Sequence, residues 1–144
     1  MSMPRIIAAL DPGVKTGLAI WHVNEQCFSR VGTFRSINAR VFLRDRWKEK
    51  SLTEIWFEDA RLRTWFPETK NSPEAIKKLQ GVGSIKRDCA IWQEFCEYYQ
   101  IPYRAIKPAA GQTKWSVEYF QRVTGWMGRT SPHARDAAAL VYGI

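Results

Sequence analysis

The chain has 144 residues and a mass of 16.7 kDa, enough for a single domain (1–144) that needs no disulfide or metal to fold. Hydrophobic residues make up 45% and charged residues 25%, which excludes a disordered chain, and no apolar run is long enough to span a membrane. Lys and Arg outnumber Asp and Glu by 22 to 14, and the net charge of +8 points to a polyanionic partner, nucleic acid first.

Ile6 to Leu10 is a short apolar run suited to a buried strand, and Asp11-Pro12-Gly13 turns the chain after it. Leu18 to Val23 and Cys27 to Phe34 follow as two further strands, close enough to form an antiparallel meander. Ser36 caps a helix expected to reach about Lys50, with Ile37, Val41 and Trp47 on its buried side. Arg40, Arg44 and Lys48 share another face, read as solvated. Ile55-Trp56-Phe57 is a fourth strand, ending at Glu58-Asp59, and Arg61 to Asn71 reads as a loop.

Ser72-Pro73-Glu74 starts a helix that runs toward Tyr99. Gly81 and Gly83 each cost about 1 kcal/mol in its interior, so they predict close packing or a break. Pro102 to Ile106 is a fifth strand, Gln112 to Val123 a helix, and Pro132 opens a last helix ending near Tyr142. This order predicts an α/β fold with a five-stranded mixed sheet flanked by helices. Cys27, Cys89 and Cys96 are an odd, widely spaced set. They fit neither a disulfide framework nor zinc spacing, and read as reduced thiols in a cytoplasm. The first five residues lack the apolar core of a secretion signal, so secretion is not expected.

The acids fall in a pattern. Asp11 ends the first strand, Glu58 and Asp59 end the fourth, and Asp136 lies on the last helix three residues after His133. If strands one and four are parallel neighbours, Asp11 and Glu58 meet at one sheet edge, and the last helix can bring His133 and Asp136 to them. Clustered carboxylates repel one another without a cation. Oxygen ligands suit Mg²⁺ or Mn²⁺, and an imidazole is better tolerated by Mn²⁺. Two such ions about 3.5–4 Å apart can drive phosphodiester hydrolysis. Each residue also has a structural alternative. Asp11 suits a turn, Glu58 could pair with an Arg, and Asp59 could be purely structural. His133 could bond the backbone at a helix start, and Asp136 could pair with Arg129 or Arg135.

The segment Ile7-Ala8-Ala9-Leu10-Asp11-Pro12-Gly13-Val14-Lys15-Thr16-Gly17-Leu18-Ala19 resembles the first-strand motif of RuvC-type Holliday junction resolvases, members of the RNase H-like nucleases. Phe57-Glu58-Asp59 resembles their second acidic motif, and Ser131-Pro132-His133-Ala134-Arg135-Asp136-Ala137-Ala138-Ala139-Leu140 their C-terminal motif. The resemblance spans nearly the whole chain, in its compact phage-like form. It implies that Asp11, Glu58, His133 and Asp136 bind two metal ions and are catalytic. It further implies a homodimer built partly on the glycine-containing long helix, and paired nicks in four-way DNA junctions.

Lys107 and Lys114 resemble the family's DNA-contacting lysines, and Lys107 follows a strand while Lys114 opens a helix. Lys77, Lys78, Lys86 and Arg87 add charge along the long helix, and Arg63 and Lys70 flank the active-site loop. Many members place an aromatic three residues after the catalytic Glu; here that position is Arg61, with Trp65 and Phe66 beyond it as candidates for base stacking. Trp47, Trp56 and Trp92 are read as core, and Trp115, Tyr119 and Trp126 fit either role. Two rivals remain: another RNase H-like nuclease acting on forks or RNA, and a non-catalytic protein that only binds junctions.

Overall fold

A run such as Ile6 to Leu10 has no polar alternation, so it needs cover on both faces of its sheet. The computed structural model supplies that cover; it describes residues 3–63, 73–109 and 114–144, apart from the side chains of residues 75, 78 and 79. The strands are β1 (Ile6–Asp11), β2 (Lys15–His22), β3 (Cys27–Arg35), β4 (Glu54–Glu58) and β5 (Tyr103–Ile106). They form one five-stranded sheet in the order β3-β2-β1-β4-β5. The first three strands are the expected antiparallel meander, and β4 and β5 run parallel to β1.

Successive strand residues point to opposite faces, and this sorts the core. Ala8, Leu10, Leu18, Ile20, Ile55 and Phe57 pack under α1 (Ser36–Lys48) and α2 (Pro73–Tyr99). Ile7, Ala9, Ala19, Trp21, Val31 and Trp56 pack under α3 (Val117–Thr124) and α4 (Pro132–Ala139). The result is a mixed sheet between two helical layers. Trp56 and Trp92 are buried and Trp47 packs against the core, as expected of them. Among the described residues no helix is long and apolar enough to cross a membrane.

Several expectations are corrected. In α1 the buried side is Ala39 and Leu43, with Phe42 and Trp47 beside them, whereas Ile37 and Val41 are exposed. Both pairs are four apart, so periodicity fits either; the small Ala39 is the residue that lets the helix lie close to the sheet. α2 is a continuous helix of 27 residues through both glycines, and a Cβ at Gly81 or Gly83 would meet nothing within 4 Å. Among the described residues there is neither a break nor close packing at these positions. α3 starts at Val117, because the Ser116 hydroxyl accepts the Tyr119 amide as its N-cap. α4 ends at Ala139, three residues short of the expected end. The loop after β4 opens with a short 3-10 turn, Ala60–Leu62.

Candidate active site

Alternation along the strands decides where the acids point. Asp11 has the parity of Ile7 and Ala9, and Glu58 that of Trp56, so both carboxylates lie on the face covered by α4. Leu10 pairs with Phe57 in the parallel register of β1 and β4, which puts Asp11 and Glu58 side by side at the C-terminal edge. Asp59 has the opposite parity. It faces α2, where Arg61 Nε and Nη2 donate to it at 2.8 to 3.2 Å and the Arg61 amide at 3.0 Å. Burial by itself raises the Asp59 pKa, but the Arg61 side-chain and backbone bonds outweigh it and hold the carboxyl below its ordinary value. Asp59 is therefore the buried half of an ion pair that shapes the start of the loop.

α4 is brought to the acids by its own first turn. The Ser131 hydroxyl accepts the Ala134 amide as N-cap, Pro132 occupies the first turn, and Ser131 also hydrogen-bonds the Thr33 hydroxyl of β3. Gly17, the β2 partner of Asp11, lies directly beneath. A Cβ there would run into the His133 carbonyl and come within 2.9 Å of the Ala134 nitrogen. The absent side chain is what lets α4 settle on the sheet, helped by the buried Ala134, Ala137 and Ala138. His133 Nδ1 then stands 3.0 Å from Asp11 Oδ2.

The last contributor comes from the segment before α3. Lys114 Nζ donates to Asp136 Oδ2 at 2.6 Å. The backbone beside it is held by Arg135, whose Nε donates to the Trp115 carbonyl at 2.9 Å while its Nη1 donates to the Thr130 carbonyl and hydroxyl. Arg135 is thus a buried latch between α4 and the Lys114 segment, and Asp136 pairs with Lys114 and not with Arg129 or Arg135. A cleft at this edge is lined by Glu58, Arg63, Pro108, Lys114, Trp115 and Asp136.

The electrostatics match a cation site. Burial pushes the Asp11 carboxyl above its ordinary pKa, against the lowering pull of the His133 hydrogen bond, and Asp136 adds repulsion. Burial also raises Glu58, and the charges of Asp11 and Asp136 raise it further. The three carboxylates therefore sense one another across the cleft. Among the described residues no three acid, histidine or cysteine side chains converge as a ready ligand set. Two of the relevant oxygens are turned to internal partners, Asp11 to His133 and Asp136 to Lys114. The donor set fits Mg²⁺ or Mn²⁺: hard oxygens, one imidazole, and a cluster that already holds an ammonium as stand-in cation.

A carboxyl whose folded pKa is raised weakens the fold as pH climbs from its unfolded value through its folded one. Glu58→Gln removes that penalty. In EDTA at neutral pH it is expected to gain roughly 1 kcal/mol, or about 3 °C in Tm. The gain should vanish below the ordinary carboxylate range. Thermal melts across pH check this, and a loss of stability at neutral pH would contradict it.

Of the expected DNA contacts, Lys107 is exposed just after β5 at the same edge, and Arg87 is exposed on α2, next to the partly exposed Lys86. Arg61 is committed to Asp59 and to Gln93 Oε1 at 2.6 Å. Trp65, Phe66 and Lys70 lie outside the described residues. Gly17, Arg135 and the Thr33–Ser131 pair had not been assigned a part in the site. Gly17, Ser131 and Arg135 lie inside the resembling motifs and Thr33 outside them; all four act through contacts between distant segments.

Comparison with solved structures places the chain beside RuvC of Thermus thermophilus. It is similar to that protein in complex with a Holliday junction substrate, with a TM-score of 0.56 and 12% identity over 94% of this chain and 88% of that one. A second Thermus thermophilus RuvC structure matches with a TM-score of 0.51 and 13% identity, over 93% of this chain and 89% of that one. No family model matches the sequence, and no curated protein does. At such low identity the likeness establishes the fold: this chain has the RuvC, RNase H-like architecture.

Proposed function

We propose, from a RuvC-fold chain with three carboxylates and a histidine at one sheet edge, that this protein is a metal-dependent endonuclease of branched DNA. It is one nuclease domain that resolves four-way junctions by paired nicks as a homodimer, in the cytoplasm of a bacterial or phage-infected cell. The observation that carries the reading is that Asp11, Glu58 and the His133–Asp136 turn, from three separate elements, lie at one sheet edge. The solved relative was bound to a Holliday junction substrate, which supports the choice of DNA form.

Asp11, Glu58, Asp136 and His133 are the residues that would hold Mg²⁺ or Mn²⁺, two ions per site. Such ions would supply an activated water and charge neutralisation at the departing 3′ oxygen, which would leave 5′-phosphate and 3′-hydroxyl ends. Asp11 orients the His133 ring through Nδ1. Lys107, Arg63 and the basic stretch Lys86–Arg87 supply positive charge for the DNA strands, whose phosphates bring most of the affinity. Arg61, bonded to Asp59 and Gln93, steadies the start of the segment after β4.

The dimer reading rests on α2. Asp88, Cys89, Trp92 and Cys96 bury the second half of the helix against the sheet. Gly81 and Ile85 continue the same stripe in the first half, where Ile85 is 42% exposed. Small residues that meet no neighbour among the described residues suit a second copy of the helix. Ile85→Asp is expected to convert a dimer to a monomer in sedimentation velocity and to uncouple the two nicks. An unchanged dimer would remove α2 from the interface.

The test of function is cleavage of a synthetic four-way junction, a fork, a linear duplex and an RNA hybrid with Mg²⁺, Mn²⁺ or EDTA. Paired symmetric nicks in the junction, lost in EDTA, are expected. Preference for forks or RNA would keep the chemistry and replace the substrate. Tight junction binding with no cutting under either metal would leave only a binding protein.

A further inference from the structure

Lys114 is placed differently from an ordinary DNA-contacting lysine. Its ammonium lies 2.6 Å from Asp136 Oδ2, inside the acid cluster, and its charge also acts on Asp11 and Glu58. The backbone next to it is pinned, because the Trp115 carbonyl accepts from Arg135 and Ser116 caps α3. The side chain itself is 75% exposed. A fixed anchor thus carries a long, hydrated arm whose head, among the described residues, is held by one carboxylate. An exposed ion pair of this kind is weak. A divalent ion binding the same carboxylate oxygens would outcompete it, and the freed ammonium would be left in a cleft facing phosphate.

We propose that Lys114 is a displaceable internal cation: it neutralises Asp136 until a divalent ion takes the carboxylates, and then turns to the DNA backbone, so that metal and DNA binding reinforce each other. The proposal rests on the metal site of the preceding section. It explains why Asp136 is turned away from a shared ligand centre, and it makes Arg135 the residue that keeps the arm within reach of both partners. The coupling is reciprocal: DNA that draws Lys114 away frees Asp136 for the metal.

The test uses the whole protein without DNA. Mn²⁺ is titrated calorimetrically into wild type and Lys114→Met, with circular dichroism to confirm the fold. Loss of the competing ammonium is expected to tighten Mn²⁺ binding several-fold. A second arm measures four-way junction affinity in EDTA and in Ca²⁺. Wild type is expected to gain affinity with Ca²⁺, and Lys114→Met to gain clearly less. Equal or weaker Mn²⁺ binding by the variant overturns the proposal and leaves Lys114 a plain phosphate contact or a support for Asp136. No Mn²⁺ binding by either protein overturns the metal-site reading as well, so the two failures are distinct.

Discussion

Asp11→Asn is expected to abolish junction cleavage while the protein still folds and binds junctions at least as tightly. Asp11 closes β1 and contributes one carboxylate to a cluster in which Asp136 repels Asp11 and both raise the pKa of Glu58. Asparagine has the same shape and keeps an oxygen to accept the His133 Nδ1–H bond, so the α4 contact survives. What is lost is negative charge where a divalent ion needs it. The rate should fall on the order of 10³-fold, the scale of losing one group that acts on transition-state charge. Affinity for the junction in EDTA should rise slightly, because one charge facing phosphate is gone. Single-turnover cleavage and gel-shift titration check both halves. Activity within about tenfold of wild type would take Asp11 out of the reaction.

Gly17→Ala is expected to be the most damaging small substitution on the sheet. Its Cβ would run into the His133 carbonyl, a backbone group that cannot swing aside. β2 and α4 must part, and α4 carries both His133 and Asp136. A cost of about 3 kcal/mol, near 10 °C in Tm, follows from overpacking a fixed backbone contact. Cleavage should be lost even at temperatures where the variant is folded, since two of the four site residues leave Asp11 and Glu58. Gly32 is the control on β3: a Cβ there meets only the Phe34 ring at 3.7 Å, so Gly32→Ala should melt close to wild type. Similar melting temperatures for both variants would mean that α4 does not depend on Gly17.

Much of the fold was legible in the chain. The meander, the five strands of a mixed sheet and the helices between them followed from apolar runs and turn residues, whereas the parallel run of β4 and β5 beside β1 is seen in the structure. The acids at Asp11 and Glu58 were readable because each ends a short buried strand. Asp59 shows a signal present but unused: next to Glu58 on a strand, it must face the other side of the sheet, where Arg61 and Cys89 meet it.

Elsewhere local pattern was ambiguous and packing chose. α1 offered two apolar pairs at the same spacing, and Ala39 with Leu43 was buried in preference to Ile37 with Val41. Gly81 and Gly83 looked like a weak point in a helix that runs through them unbroken. Trp115 turned out to join the core layer beneath α3, stacked edge-on to Tyr119 and Tyr142.

The sequence alone therefore determined which chemistry-bearing residues exist, which element each one ends or opens, and the mixed sheet that carries them. These depend on neighbours along the chain, through alternation, helical period and capping. Only the tertiary structure decided that Gly17 seats α4, that Arg135 holds the segment before α3, and that Lys114 closes on Asp136. Each of these joins segments far apart in the chain, and such contacts are set by how layers stack, a property no local spacing encodes.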